Sequence, residues 1–481
     1  MRQHDRVTSI DSHDARALAH SLRRVYEAVA GRVSEDNASS PLVAKVTGHL
    51  GRPLSELVVV EEKYRLFEHA GLQLAADRYL ATHTPDAGWF GVVGSDRRFM
   101  SMINMITSAL THGGTLLGRP DYTVAAVGPD DTIDVIQLGL VCTHAPGGAP
   151  VVLGINTRED FTEASVLTVI AADRETATGV RQEVDRLMRD LDPLRGRVVT
   201  FGFSEHRRNE LLTFVPRADL APEEVVLPEG RLEALEEHVV GIGRRSDRLR
   251  EAGQHLRRGL LLYGPPGTGK THTLRYLLGR RPESTAILMT AEGMAKIGFA
   301  VALARKLQPS IVVVEDVDLI AEDRSQFTTS PLLFSLLDAM DGVGGDADVT
   351  FLLTTNRVEA LEKALVQRPG RIDLAVEIPP PDARSRERLV RLYARDRPLD
   401  ADVAAVVAAT EGVTASYIKE LVRRVVLTAL NRDEHVLTDA HFAEVLDRMA
   451  DDGEHLTRAL LGGAAERKDS RTPPRLEPPA C

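Results

Sequence analysis

The chain has 481 residues, of which 43% are apolar and 27% charged, and carries a formal net charge of −11. Those proportions exclude a disordered or membrane-dominated polypeptide, and the length allows roughly two to four domains. With its arginines scattered among Asp and Glu, the chain has no basic field to draw nucleic acid to the whole molecule, and nucleic acid is an unlikely partner. Two cysteines, Cys142 and Cys481, are too few for a disulfide framework or a four-cysteine metal site and point to a reducing compartment.

The first residues include Asp5, Asp11 and Asp14 and lack the apolar core of a signal peptide. No run reaches the roughly 18 apolar residues of a membrane span. Leu138 to Ile155 comes nearest and is broken by His144, Pro146, Gly147 and Gly148. A cytoplasmic protein without a membrane span is expected. Leu18, Leu22, Val25, Tyr26 and Val29 recur at helical spacing and predict a helix over Asp14 to Val33, and Ser40-Pro41 supplies an N-cap and a first-turn proline for a second helix. Beyond Gly91 the texture turns to β-rich runs separated by Gly, Pro and Asp: Tyr122 to Val127, Thr132 to Cys142 and Val151 to Ile155. A strand over Val166 to Ala171, an amphipathic helix over Glu175 to Leu191 and a strand over Arg197 to Phe203 complete an α+β accessory domain, residues 1–225, in which no chemistry is recognisable. Leu227-Pro228-Glu229-Gly230 reads as a linker, and the segment 451–481 is expected to be a mostly disordered tail, being too poor in apolar residues to pack from Ser470 onward.

The chemistry begins at Gly259 to Tyr263, a buried-strand pattern that runs into Gly264, Pro265, Pro266, Gly267, Thr268, Gly269, Lys270 and Thr271 ahead of the helical stretch Leu274 to Leu278. Glycines in such a loop let backbone N–H groups turn inward around phosphates, and the following helix N-terminus favours their charge; Lys270 reaches the β and γ oxygens and Thr271 offers a hydroxyl to Mg²⁺. His272 completes the nucleotide-binding set. A plain Gly-Pro turn rarely matches eight positions between a strand and a helix. A second apolar strand, Ser310 to Val314, ends in Glu315-Asp316-Val317-Asp318, which puts carboxylates at the strand's C-terminal end, where ligands bind in parallel α/β sheets. A third, Phe351 to Thr355, ends in Asn356-Arg357, an amide placed to orient a water. Gln367-Arg368-Pro369-Gly370-Arg371-Ile372-Asp373 follows, which in isolation reads as a rigid surface turn.

Taken together, Arg258 to Thr271, Leu336-Leu337-Asp338-Ala339-Met340-Asp341-Gly342, Thr355-Asn356-Arg357 and Arg368 to Asp373 resemble the AAA ATPases over about Leu227 to Met449. The resemblance implies an α/β P-loop NTPase core with a five-stranded parallel sheet over 226–381 and a helical lid over 382–450, in which Gly412 to Ser416 match the lid's glycine motif. It implies a ring, usually hexameric, that couples hydrolysis of Mg²⁺-ATP to remodelling or translocation of a protein client. By position it implies Lys270 and Thr271 as nucleotide and Mg²⁺ ligands, Glu315 as the Mg²⁺-supporting carboxylate, Asp316 as the water-activating one, Asn356 as the sensor, and Arg368 and Arg371 as arginine fingers acting on a neighbour's ATP.

Two departures stand out. The family's usual Asp-Glu order is reversed in Glu315-Asp316, which leaves the activating carboxylate one methylene shorter. In Gly293 to Phe299, where the substrate-gripping pore loop falls, Lys296 replaces the customary aromatic; Phe299 could substitute for it, or the segment could be a connecting loop with no grip. No His-Glu-x-x-His sequence is present, so no zinc protease site is indicated. The leading expectation is a protein-remodelling ATPase. Its alternatives are a slowly hydrolysing ATP-dependent assembly switch and, last, a nucleic-acid remodeller suggested only by the arginines between Arg244 and Arg258.

Overall fold

The computed structural model describes residues 40–93, 100–112, 116–158, 164–201, 212–290, 292–318, 331–358 and 371–450. The expected helix over 14–33 and the tail from 451 lie outside them. Two compact units result, one ending at Pro193 and the other beginning at Leu194.

The first unit is a five-stranded antiparallel sheet with helices on both faces. Its strands are β1 (Val58–Arg65), β4 (Asp121–Ala126), β5 (Thr132–His144), β6 (Pro150–Arg158) and β7 (Ala164–Ala171), in the order β1-β7-β6-β5-β4, and a small antiparallel pair of β2 (Gly91–Val93) and β3 (Leu116–Gly118) adjoins it through a bridge between Phe90 and Leu140 of β5. Side chains alternate across a strand. Leu153, Ile155, Leu167 and Val169 therefore meet one pair of helices, α2 (His69–His83) and α4 (Arg174–Asp190), while Val152 and Ile170 meet the other pair, α1 (Pro41–Leu50) and α3 (Met102–His112). Gly154 makes the second contact possible, since a Cβ there would lie 2.9 Å from the Met102 Cε. The α4 helix starts where the Asp173 carboxylate accepts the Thr176 N–H at 2.8 Å, and it buries Ala177, Val180, Val184 and Met188 at three- and four-residue spacing.

The second unit holds a seven-stranded sheet, β14-β10-β13-β12-β11-β8-β9, made of β8 (Val198–Phe201), β9 (Leu212–Val215), β10 (Arg258–Tyr263), β11 (Thr285–Met289), β12 (Ser310–Val314), β13 (Val349–Thr355) and β14 (Leu374–Glu377). All neighbours are parallel except β8 and β9. Two corrections to the sequence reading follow. The strand expected in the accessory domain is β8, whose backbone pairs with β11 from Val198↔Ala286 to Phe201↔Met289, so the division between units falls well before residue 225. The sheet also exceeds the five strands expected, because β8 covers the β11 edge and β9 caps β8 in turn. Helix α5 (Lys270–Gly279) packs Leu274, Leu277 and Leu278 among side chains that include Leu260, Leu262, Ile311 and Leu352. Helix α6 (Ile297–Lys306) packs on β11 and β12 and against α7 (Pro331–Asp341). The C-terminal part is helical, with α8 (Ala383–Tyr393), α9 (Val403–Ala409), α10 (Ala415–Leu430) and α11 (Asp439–Ala450) enclosing a core that contains Leu389, Ile418, Leu421 and Phe442.

In the first unit His69 is 4% exposed, its Nε2 lying 2.8 Å from the Ile136 carbonyl and 3.1 Å from the Thr157 hydroxyl. Burial pushes its pKa down from the ordinary 6.5, against a smaller upward pull from the Ile136 carbonyl. The unfolded chain then binds a proton that the folded unit refuses, so stability is lost as pH falls below about 6.5. Trp89, the chain's single tryptophan, packs against this core and reports on it. The thermal midpoint read from Trp89 fluorescence is expected to fall between pH 7.5 and 5.5, and to fall less in a His69→Gln variant; equal slopes would remove His69 as the cause.

Candidate nucleotide site

Strand β10 ends in the loop Gly264 to Gly269, and this loop needs its glycines. Gly264 has φ 146° and a Cβ there would lie 2.3 Å from the Ile378 carbonyl oxygen; Gly267 has φ 78° and sits against the side chains of Thr414 and Ser416. The Ser416 N–H donates to the Gly267 carbonyl at 3.0 Å, so the start of α10 is bonded directly to the phosphate loop. Within the loop the Thr268 hydroxyl donates to the Pro265 carbonyl at 2.9 Å.

Lys270 opens α5 and is 6% exposed. Its ammonium donates to the carbonyls of Gly264 (2.8 Å) and Pro265 (2.9 Å) and to Asn356 Oδ1 (2.8 Å). Burial pushes its pKa down while the nearby Asp316 and Asp318 carboxylates pull it up. Asn356 returns the contact from its other end, its Nδ2 donating to Asp316 Oδ1 at 3.0 Å. The structure therefore brings Lys270, Asn356 and Asp316, three residues singled out from sequence, into one hydrogen-bonded chain across β10, β13 and β12.

The Thr271 hydroxyl donates to Glu315 Oε2 at 3.0 Å. A hydroxyl and a carboxylate at bonding distance are the hard oxygen donors that suit Mg²⁺, which is held by one or two protein oxygens with phosphate and water completing its shell. The donor set fits the ion. Among the described residues no group of three or more His, Cys, Asp or Glu could hold a metal. The His272 side chain turns back, Nε2 lying 3.0 Å from the Glu224 carbonyl.

Three residues beyond the sequence-derived set complete the site. Asp318, 4% exposed, accepts from the Thr355 hydroxyl at 2.9 Å and from the Asn356 N–H at 3.0 Å. The Thr354 hydroxyl accepts the Asp316 N–H at 2.9 Å. Asp341 binds Arg371 through two contacts, Nε to Oδ1 at 2.9 Å and Nη2 to Oδ2. Asp318 and Asp341 stand within motifs the sequence already displays; Thr354 carries no signal beyond being a hydroxyl near a strand end.

Arg371 is only 5% exposed. Its backbone is pressed onto β10, where a Cβ on Gly259 would lie 2.0 Å from the Arg371 carbonyl oxygen, and Asp373 Oδ2 accepts the Gly259 N–H at 2.8 Å. Within this chain the Arg371 guanidinium is buried in its ion pair with Asp341. Arg368 lies outside the described residues. Phe299, the candidate substitute for a gripping aromatic, packs on Phe201 at 5.5 Å between ring centroids, and Met294 is fully buried; Lys296 is exposed.

A parallel sheet with a glycine loop leading into a helix, a buried lysine, and carboxylate and amide at adjacent strand ends defines a P-loop NTPase. The sequence model of the ATPase family associated with various cellular activities (AAA) matches residues 260–380, and the chain carries a domain of that family. Over 234 residues it is 32% identical to the ATP-dependent zinc metalloprotease FtsH 2 of Symbiobacterium thermophilum, covering 45% of this chain and 40% of that protein. It is 31% identical over 277 residues to FtsH 3 of Sphaerobacter thermophilus, covering 54% and 55% of the two chains. With the proteasome-activating nucleotidase of Methanopyrus kandleri it shares 32% identity over 209 residues, covering 40% and 48%. The chain thus spans about half the length of these curated relatives.

Removing Asp341 leaves a buried guanidinium unpaired. Loss of one partner of a fully buried pair costs about 3–5 kcal/mol, but the Asp341 side chain is 51% exposed, so solvent replaces part of the lost contact. Asp341→Ala is expected to lower stability by roughly 1–3 kcal/mol in chemical denaturation followed by far-UV circular dichroism. A variant as stable as wild type would show that the pair contributes nothing to holding Arg371.

Proposed function

We propose that the protein binds Mg²⁺-ATP and hydrolyses it to ADP and phosphate, and that it does so as a ring, most simply a hexamer, to remodel or translocate a protein client. The observation that carries this reading is the Lys270–Asn356–Asp316 chain, which sets a cation, an orienting amide and a carboxylate in sequence beside the phosphate loop. Lys270 exchanges its loop carbonyls for the β and γ oxygens. Residues Gly264 to Thr271 enclose the phosphates, with His272 contributing through its backbone at the start of α5. Thr271 and Glu315 hold Mg²⁺, which when bound neutralises charge developing on the transferred phosphoryl. Asp316 accepts a proton from water as the water oxygen bonds to the γ-phosphorus and the bond to the ADP oxygen breaks; Asn356 orients that water.

The arginines act between subunits in this reading. Arg368 reaches the neighbour's ATP, while Arg371, fixed by Asp341, holds the segment that presents it. The accessory unit selects the client, for which the proteasome-activating nucleotidase and the ATP-dependent metalloproteases offer precedent as ATP-dependent proteins acting with or on other proteins. Proteolysis is not part of the proposal, since the chain has no His-Glu-x-x-His sequence. The setting is the cytoplasm, supported by the unbridged Cys142; no helix among the described residues is long and apolar enough to cross a membrane.

One observation favours a second reading. Phe299 is packed on Phe201 and an exposed Lys296 takes the gripping position, so the loop lacks a free aromatic for pulling on a polypeptide. That suits an ATP-dependent assembly switch that does no threading.

Steady-state hydrolysis across protein concentration, with and without an unfolded polypeptide, separates the two. For the motor, specific activity rises with concentration and is stimulated by unfolded protein; Lys270→Ala and Asp316→Asn abolish it, and Arg368→Ala lowers it by about 10³-fold or more. Turnover indifferent to any polypeptide would leave the switch. A wild type no faster than Lys270→Ala would overturn hydrolysis altogether.

A further inference from the structure

The backbone of Asp316 is in the left-handed region, with φ 50°; among the described residues only one other non-glycine, Asp433, shares a positive φ. Side chains with a Cβ avoid that region, and Asp and Asn are the ones that tolerate it. The residue expected to activate water is therefore held in a conformation its neighbours must impose.

Strand β13 imposes it. The ladder between β12 and β13 runs in register up to Val314↔Leu353 and then stops, so the Asp316 N–H has no backbone carbonyl to continue with. The hydroxyl of Thr354, itself 1% exposed, takes that place, accepting the N–H at 2.9 Å. Alternation along a strand puts Thr354 and Asn356 on one face and Thr355 on the other. The first two grip Asp316 at both ends, Thr354 at its backbone and Asn356 at its carboxylate (3.0 Å), while Thr355 turns away to Asp318 (2.9 Å).

We infer that Thr354 is a positioning residue for Asp316: by pinning the left-handed backbone it lets a carboxylate one methylene shorter than glutamate reach the sensor amide, and so makes the Glu315-Asp316 order workable. This rests on the hydrolytic reading of Asp316 given above. It also explains why aspartate suits position 316. A longer acid would have to enter a disfavoured backbone region and would overshoot Asn356 once its N–H was pinned.

Two substitutions in the full-length protein test this. Thr354→Val keeps the shape and removes the acceptor, and Thr354→Ser keeps the acceptor. Thr354→Val is expected to lower kcat by on the order of 10- to 100-fold, with KM for Mg²⁺-ATP and ADP affinity within about twofold of wild type. Thr354→Ser is expected to recover most of the loss, and Asp316→Glu to fall below wild type. Amide exchange at residue 316, measured without nucleotide, should be faster in Thr354→Val and protected in wild type and Thr354→Ser. Wild-type kcat in Thr354→Val, unchanged exchange at 316, or equal losses in the Val and Ser variants would each overturn the inference. If wild type proves no faster than Lys270→Ala, hydrolysis fails as a reading, and the exchange comparison alone still decides whether Thr354 holds Asp316.

Discussion

The candidate nucleotide site depends on one neutral side chain joining two charges. Asn356 accepts from the Lys270 ammonium through its oxygen and donates to the Asp316 carboxylate through its nitrogen. A buried cation is costly unless its donors are satisfied, and Lys270 has its three hydrogen bonds only because Gly264 and Pro265 turn their carbonyls inward and β13 delivers an amide beside β10. That requirement fixes the strand order around it. The loop must follow β10, the amide must end the neighbouring β13, and the carboxylate must end β12 on the far side of β13. A strand inserted between β10 and β13, or between β13 and β12, would open the chain by a full strand spacing, about 4.8 Å.

A second layer of contacts holds this chain in place. Asp318 ties down the end of β13 through Thr355 and the Asn356 backbone, Thr354 ties Asp316, Ser416 ties the phosphate loop to α10, and Asp341 ties Arg371. The first three act on the phosphate-loop, carboxylate and amide segments of the candidate site, and the fourth fixes the start of the segment ahead of β14, so rigidity is placed where geometry would matter for chemistry. The segment Gly293 to Phe299 shows the opposite economy. Gly293, Met294 and Phe299 are spent on packing against β8 and the core, leaving only Ala295, Lys296 and Gly298 outward.

Legibility in the sequence followed the locality of each signal. The phosphate loop, the β12 carboxylates and the β13 amide each occupy a few consecutive residues at a strand end, and their types declare their chemistry; the buried runs of β10, β12 and β13 lie where apolar periodicity puts them. Two features needed partners distant in sequence. Val198–Phe201 is a sound strand read locally, yet which sheet it joins is decided by hydrogen bonds to Ala286–Met289 across the intervening chain, and nothing between them encodes that choice. Arg371 displays its charge in the sequence, whereas its burial is set by Asp341 and by the absence of a Cβ on Gly259. Thr354 was illegible for a third reason: one hydroxyl matters only because the residue opposite adopts a left-handed backbone.

The Lys270 ammonium is the group on which the whole reading converges, since the proposal has it exchange its loop carbonyls for phosphate oxygens. Calorimetric titration of wild type and Lys270→Ala with Mg²⁺-ATP addresses this without requiring turnover. Wild-type protein is expected to bind, and the variant to lose about 10- to 100-fold in affinity, the worth of one charge-assisted contact. Equal affinities, or no binding to wild type, would contradict the assignment of this loop as the phosphate site.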